Sequence, residues 1–65
     1  MNETVKFWLE ELYKKEIEEV KGTIENEKMW ELGYDGQEPF NPHTDNIMVL
    51  EEYVEVLKEK LAELK

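Results

Sequence analysis

Apolar residues fall along this chain in two runs of helical spacing, separated by a stretch without it. In the first run Val5, Trp8, Leu9, Leu12, Tyr13, Ile17, Val20 and Ile24 recur at intervals of three and four. A helix that continues past them brings Trp30 and Tyr34 back under the same stripe. In the second run Ile47, Leu50, Val54, Leu57, Leu61 and Leu64 keep a strict alternation of three and four, the a/d seam of a left-handed helix pair. Phe40 and His43 extend that phase backwards, and Val49, Tyr53 and Val56 form a narrower ridge beside it. The pattern predicts a helix over about 3–32, a loop over about 33–41 and a second helix over about 42–64.

The helix ends carry their own signals. Asn2 is suited to cap the first helix, with Glu3 at the positive end of its dipole. Asn41 followed by Pro42 makes a cap and first-turn pair for the second, with Thr44 or Asp45 as a later start. Gly33 is expected to adopt a left-handed conformation that closes the first helix and folds Tyr34 back towards Met29. Glu10 with Lys14 and Glu11 with Lys15 have the favourable i,i+4 spacing of a solvated face. The first stripe also has flaws. Glu16, Thr23 and Glu27 lie on its line, and Gly22 costs up to ~1 kcal/mol relative to Ala, so a bend there is one expectation. Glu16 and Glu27 should reach solvent or pair with Lys. His43 should sit at a helix start, hydrogen-bonded to the loop.

Two helices joined by a loop of this length should return on each other as an antiparallel hairpin. At 1.5 Å per residue the first is about 45 Å long and the second about 35 Å, leaving roughly one and a half turns of the first uncovered. That overhang holds Val5, Phe7, Trp8 and Leu9, a dense apolar cluster of the kind that marks an interface. Phe7 lies on the opposite side of the helix from Val5 and Leu9. The expected fold is therefore all-α: residues 1–65 as a single domain, an antiparallel two-helix hairpin that dimerises into a four-helix bundle.

Size sharpens the case for a partner. A chain of 65 residues exposes so much surface that one core is marginal without a staple. With no Cys and one His, it has neither disulfides nor the ligands of a thiolate or multi-histidine metal site. Self-association is the simplest remaining source of stability. The charge then limits what else can bind. Seventeen acidic residues against eight Lys and no Arg give a formal charge of −9, which repels phosphate backbones and anionic head groups, so neither nucleic acid nor membrane is an expected direct partner. No stretch approaches the ~20 apolar residues of a membrane span, and a soluble, cytoplasmic protein is expected, in a bacterial cell or phage-infected host.

Candidate chemistry is sparse. Glu51, Glu55, Glu59 and Glu63 align at i,i+4 spacing, but no Glu stands three residues before His43, as di-metal bundles require; position 40 is Phe. Asp35, Gln37, Glu38, His43 and Asp45 could gather about a cation, yet they lack the alternation of a calcium loop. No phosphate-cradling loop, zinc-helix motif or Ser is present. No cofactor, metal or enzymatic activity is expected. What remains is aromatic: Trp30, Tyr34 and Phe40 are spaced to cap the loop end of the bundle. The chain resembles, in type only, the small acidic accessory proteins of bacteria and their phages.

The expected function is that of a protein–protein interaction module that binds and modulates a partner with a basic surface, as an inhibitor or nucleic-acid mimic would. Val5, Phe7, Trp8, Leu9, Trp30, Tyr34, Phe40 and Tyr53 are its candidate oligomer or partner contacts. The alternative is a structural assembly subunit whose homo-oligomer is its function. A small-ligand site between helices is a third possibility.

Overall fold

The chain enters its first helix, α1 (Glu3–Gly33), through Asn2, whose side chain accepts a 2.7 Å hydrogen bond from the Thr4 amide. This satisfies one of the amides that a helix start leaves without a partner. The second helix, α2 (Pro42–Glu63), is entered through Asn41 in the same way, with Pro42 in its first turn, Asp45 at its positive end and Lys60 in its last turn. The structure is a computed structural model that describes residues 2–36 and 40–64. It is all-helical, and the two helices pack against each other as a hairpin. Among the described residues no helix is long and apolar enough to cross a membrane.

Two local expectations are corrected. No described glycine has a positive φ. Instead α1 runs through Gly33 and leaves by an extended Tyr34 (φ −75°, ψ 124°), whose amide reaches the Glu31 carbonyl at 3.4 Å. The Tyr34 ring lies over Gly36, where a Cβ would collide with it, and edge-on to His43. Second, the surface ion pairs of α1 are spaced i,i+3, Glu11–Lys14 at 3.8 Å and Glu18–Lys21 at 3.9 Å, with Glu55–Lys58 at 3.6 Å on α2. All are exposed and long, so each contributes little to stability.

α1 continues without a break through Gly22. The Thr23 hydroxyl donates to the Glu19 carbonyl at 3.2 Å, one turn back, which adds a bond beside the most permissive residue of the helix. Gly22 points into open space, with nothing within 4 Å of a Cβ placed there. The glycine therefore answers no steric demand within the hairpin.

The core is a single seam. Ile17, Val20 and Ile24 of α1 meet Ile47, Val54 and Leu57 of α2, flanked by half-buried Tyr13, Leu50 and Leu61. Even Leu57, the most enclosed of them, keeps 4% of its surface. The hairpin measures 53 × 15 × 10 Å, and its radius of gyration, 15.6 Å, exceeds the about 11 Å expected of a compact chain of this length. Its accessible surface is 5304 Å², against about 4400 Å² for a typical folded monomer of 7.8 kDa. Roughly 900 Å² is left over, close to the ~800 Å² that each partner buries in a standard interface.

Two substitutions test this packing by thermal or urea unfolding. Gly22→Ala should stabilise the hairpin by about 0.5–1 kcal/mol, since the site is helical and open. Leu57→Ala should cost about 2–4 kcal/mol, whereas Leu32→Ala, at a residue 88% exposed, should change stability by less than about 0.5 kcal/mol.

Candidate interaction surface

The loop end of the hairpin is held by polar groups from both helices. Asn41 ties the two together. Its Oδ1 accepts the His43 amide at 2.9 Å, capping α2, while its Nδ2 donates at 3.0 Å to the Glu31 carbonyl at the end of α1, which also takes the longer bond from the Tyr34 amide. Beside it, the Thr44 hydroxyl donates to the Glu31 carboxylate. One turn earlier on α1, Glu27 accepts from His43 Nδ1 at 2.6 Å and from Asn46 Nδ2 at 3.3 Å. An ionised carboxylate only accepts, so the shared proton sits on Nδ1.

Glu27 and Glu31 stand in the last turns of α1, where a helix dipole disfavours negative charge, and face the first turn of α2, where it is favoured. The hydrogen bond from His43 is the main reason that the Glu27 carboxyl lies below its ordinary value of 4.5. Partial burial opposes the shift, and Asn46 and the charge of His43 add to it. Glu27, expected to reach solvent or to pair with Lys, pairs with His43 instead; His43 stands at the start of α2 with its amide bonded to the loop residue Asn41, as expected, while its ring is held by α1. A seam-phase histidine on α2 and an acid on the α1 stripe were both visible in the sequence; that they meet across the hairpin was not.

The aromatic cap is also built differently from the expected cluster. His43 is its centre, stacked on Trp30 with ring centroids 6.4 Å apart and edge-on to Tyr34 at 5.9 Å. Phe40 stays exposed, outside these ring pairs. Of the loop acids expected near a cation, Gln37 and Glu38 lie outside the described residues. Among the described residues no three His, Asp or Glu side chains gather closely enough to hold a metal ion. Glu51, Glu55, Glu59 and Glu63 are all exposed.

Away from the loop, the two long flanks of the hairpin differ in character. One is a charged groove walled by Lys21, Glu25 and Lys28 of α1 and Glu51, Glu55 and Lys58 of α2, with Ile24 and Val54 at its floor. The other is marked by the Tyr53 hydroxyl, which donates to the half-buried Glu16 at 3.3 Å. Partial burial and this neighbouring carboxylate both raise the Tyr53 phenol above its ordinary value.

Helical spacing places Val5, Leu12, Thr23 and Trp30 on the same flank of α1 as Glu16, with Trp8 and Glu19 turned further outward. It places Val49, Val56 and Lys60 on the same flank of α2 as Tyr53. Among them Trp8 is 66% exposed, Trp30 67%, Leu12 60% and Val49 65%. This flank thus presents seven apolar side chains from both helices. Leu12, Val49 and Val56 extend the interface residues expected from sequence.

The other candidates lie elsewhere. Leu9 is half-buried, turned towards the seam, and Tyr34 belongs to the His43 cap. Phe7 is exposed on the opposite flank of α1, as its spacing implies, and shares a shallow groove with Trp8, Glu11, Leu12 and Lys15. Met29 and Leu32 are exposed away from the apolar flank as well.

Compared with protein-family models, curated proteins and solved structures, the chain matches none of them.

Two experiments probe the polar lock. Asn41→Ala should cost about 1–2 kcal/mol, and Asn41→Asp, which keeps the cap acceptor but loses the donor to Glu31, should fall between it and the parent in urea unfolding. Because the folded-state value of Glu27 is lowered, its stabilising contribution is full above pH 4.5 and is lost as pH falls through the folded value. Glu27→Gln should therefore reduce stability at neutral pH and make its decline below pH 4.5 shallower than the parent's.

Proposed function

We propose that this chain is a non-enzymatic protein-interaction module that works as a homodimer, two hairpins closing into a four-helix bundle with an acidic exterior that engages the basic surface of another protein. The observation that carries the reading is the flank of Val5, Trp8, Leu12, Trp30, Val49, Tyr53 and Val56. Exposed apolar side chains gathered from two helices onto one side form the kind of patch that interfaces cover. The surface in excess of a typical monomer is about one partner's share of a standard interface, so a second copy suffices to cover it.

With that flank closed, the surface left to solvent is dominated by carboxylates. Glu52, Glu59 and Glu63 are exposed along the outer side of α2, the face turned away from the seam. A net charge of −9 on each copy favours rapid encounter with a cationic partner and disfavours nucleic acid itself. Binding to such a surface would modulate or block the partner. A second reading, an assembly subunit, draws on Phe7, Met29 and Leu32, which are exposed away from the apolar flank. A mass that grows beyond the dimer with concentration would favour it.

Light scattering across protein concentration tests the pairing. A dimer that persists at high salt is expected, because apolar contacts are not screened. Trp8→Ala with Leu12→Ala should shift it to monomer while leaving helicity largely intact. A parent protein that is monomeric at every concentration would refute the homodimer. Capture of a basic partner should weaken with salt and with Glu52→Lys and Glu59→Lys together; binding indifferent to both would refute the acidic docking surface.

A further inference from the structure

We infer that the two hairpins pair in opposite directions, with a two-fold axis at Tyr53 that lays Trp8 of each copy against Trp30 of the other. This direction rests on the pairing proposed above. It follows from how the hairpin's register distributes side chains along the apolar flank.

Contacts between the helices set the register. Asn41 and Thr44 meet Glu31, Asn46 meets Glu27 and Tyr53 meets Glu16. Tyr53 therefore stands level with the segment from Glu16 to Val20. Tyr53 is also the centre of its own ridge, with Val49 one turn to one side and Val56 one turn to the other. On α1 the residue midway between Trp8 and Trp30 is Glu19, within that same level. Both helices thus share one centre, and about it Trp8 and Trp30 on α1, and Val49 and Val56 on α2, are placed almost symmetrically, while Leu12 comes level with Asn26.

An isologous contact places residues equidistant from the axis against each other. With the hairpins opposed, Val49 meets the partner copy's Val56, Tyr53 meets Tyr53, and Trp8 meets Trp30. The polar stretch of α1 meets itself, Glu16 level with Thr23. Lys60, near the end of α2, comes level with the second copy's Asp45 at the start of its α2, opposite charges in both halves of the dimer. The overhanging turns of α1 that carry Val5 fall beside the second copy's Tyr34, so the part of α1 that its own α2 does not reach is covered. Glu19 near the axis opposes its own counterpart, and as an exposed side chain it can turn to solvent.

Pairing in the same direction lays α1 of one copy over α2 of the other and reverses these matches. Val49, Tyr53 and Val56 would then face Thr23, Glu19 and Glu16, and Lys60 would press on Leu12. Two carboxylates and an ammonium would be set against apolar side chains with no opposite charge supplied, which desolvation disfavours. Apolar complementarity and charge complementarity both select the opposed direction.

The chain has no cysteine, so Asp35→Cys gives one spin-label site per copy at the exposed loop end, outside both helices. Pulsed electron–electron dipolar spectroscopy of the labelled dimer then reads the direction. Opposed hairpins should give an inter-label distance approaching the 53 Å length of the molecule, about 48 Å from the helical rise on either side of the axis. A distance below about 20 Å, the width of two packed helices, would overturn the direction while leaving the dimer intact. Absence of dipolar coupling with a monomeric mass would overturn the pairing itself and the direction with it.

Discussion

Two helices touch along one line, and a side chain on that line can be covered from one side only. Everything else in this molecule follows from that constraint. Among the described residues six are buried and none is sealed completely, because no third element there closes over the seam of α1 and α2. The apolar side chains next to the seam, turned by a quarter to a third of a helix from it, cannot be reached by the other helix. Seven of them collect along the flank marked by Tyr53, while Phe7 and Leu32 lie away from it. A hairpin of this composition is thus long and thin, and it carries more surface than its mass requires.

With so narrow a core, the relative placement of the helices depends heavily on the loop end. Asn41 meets this need with one short side chain, its oxygen serving the start of α2 and its nitrogen the end of α1. Glu27 and Glu31 act in the same place. On an isolated α1 they would be acids at the unfavourable end of a helix dipole, but in the hairpin they lie against the amide-rich start of α2 and accept bonds from His43, Asn46 and Thr44. The lock therefore rewards the antiparallel arrangement specifically. It also explains why an acid lies on the buried stripe without being an orphan: no buried side-chain polar atom of the described residues lacks a partner.

The contrast between the two flanks gives the molecule a direction in space. Lysines and glutamates interleave across the groove of Lys21, Lys28 and Lys58, a surface content in water. On the other flank, aromatic and aliphatic side chains from both helices lie together, and the Tyr53–Glu16 hydrogen bond joins the two helices there. The proposed division of roles, one side closing on a second copy and the acidic remainder facing other proteins, rests on this asymmetry.

Sequence alone determined the helices, because their signals are local. The seam of α2, Ile47 through Leu64, can be read from spacing, and Asn2, Asn41 and Pro42 act on amides within a turn of themselves. Helical spacing likewise puts Phe7 opposite Val5 whatever the second helix does. What only the tertiary structure decided were matters of register and of which neighbour arrives. The Glu27–His43 bond spans sixteen residues, and its partners could be anticipated singly but not as a pair, since a shift of one turn would have matched different residues. The same holds for His43, rather than Phe40, as the centre of the aromatic cap, and for the exit from α1, where extended backbone at Tyr34 replaces a left-handed Gly33. Periodicity shows which side of each helix is apolar, but only the packed pair shows that Val5, Trp8, Leu12 and Trp30 on α1 share a flank with Val49, Tyr53 and Val56 on α2. A helix's own pattern sets a side chain's angle about its axis, whereas the surface it joins depends on the angle and level at which the second helix docks.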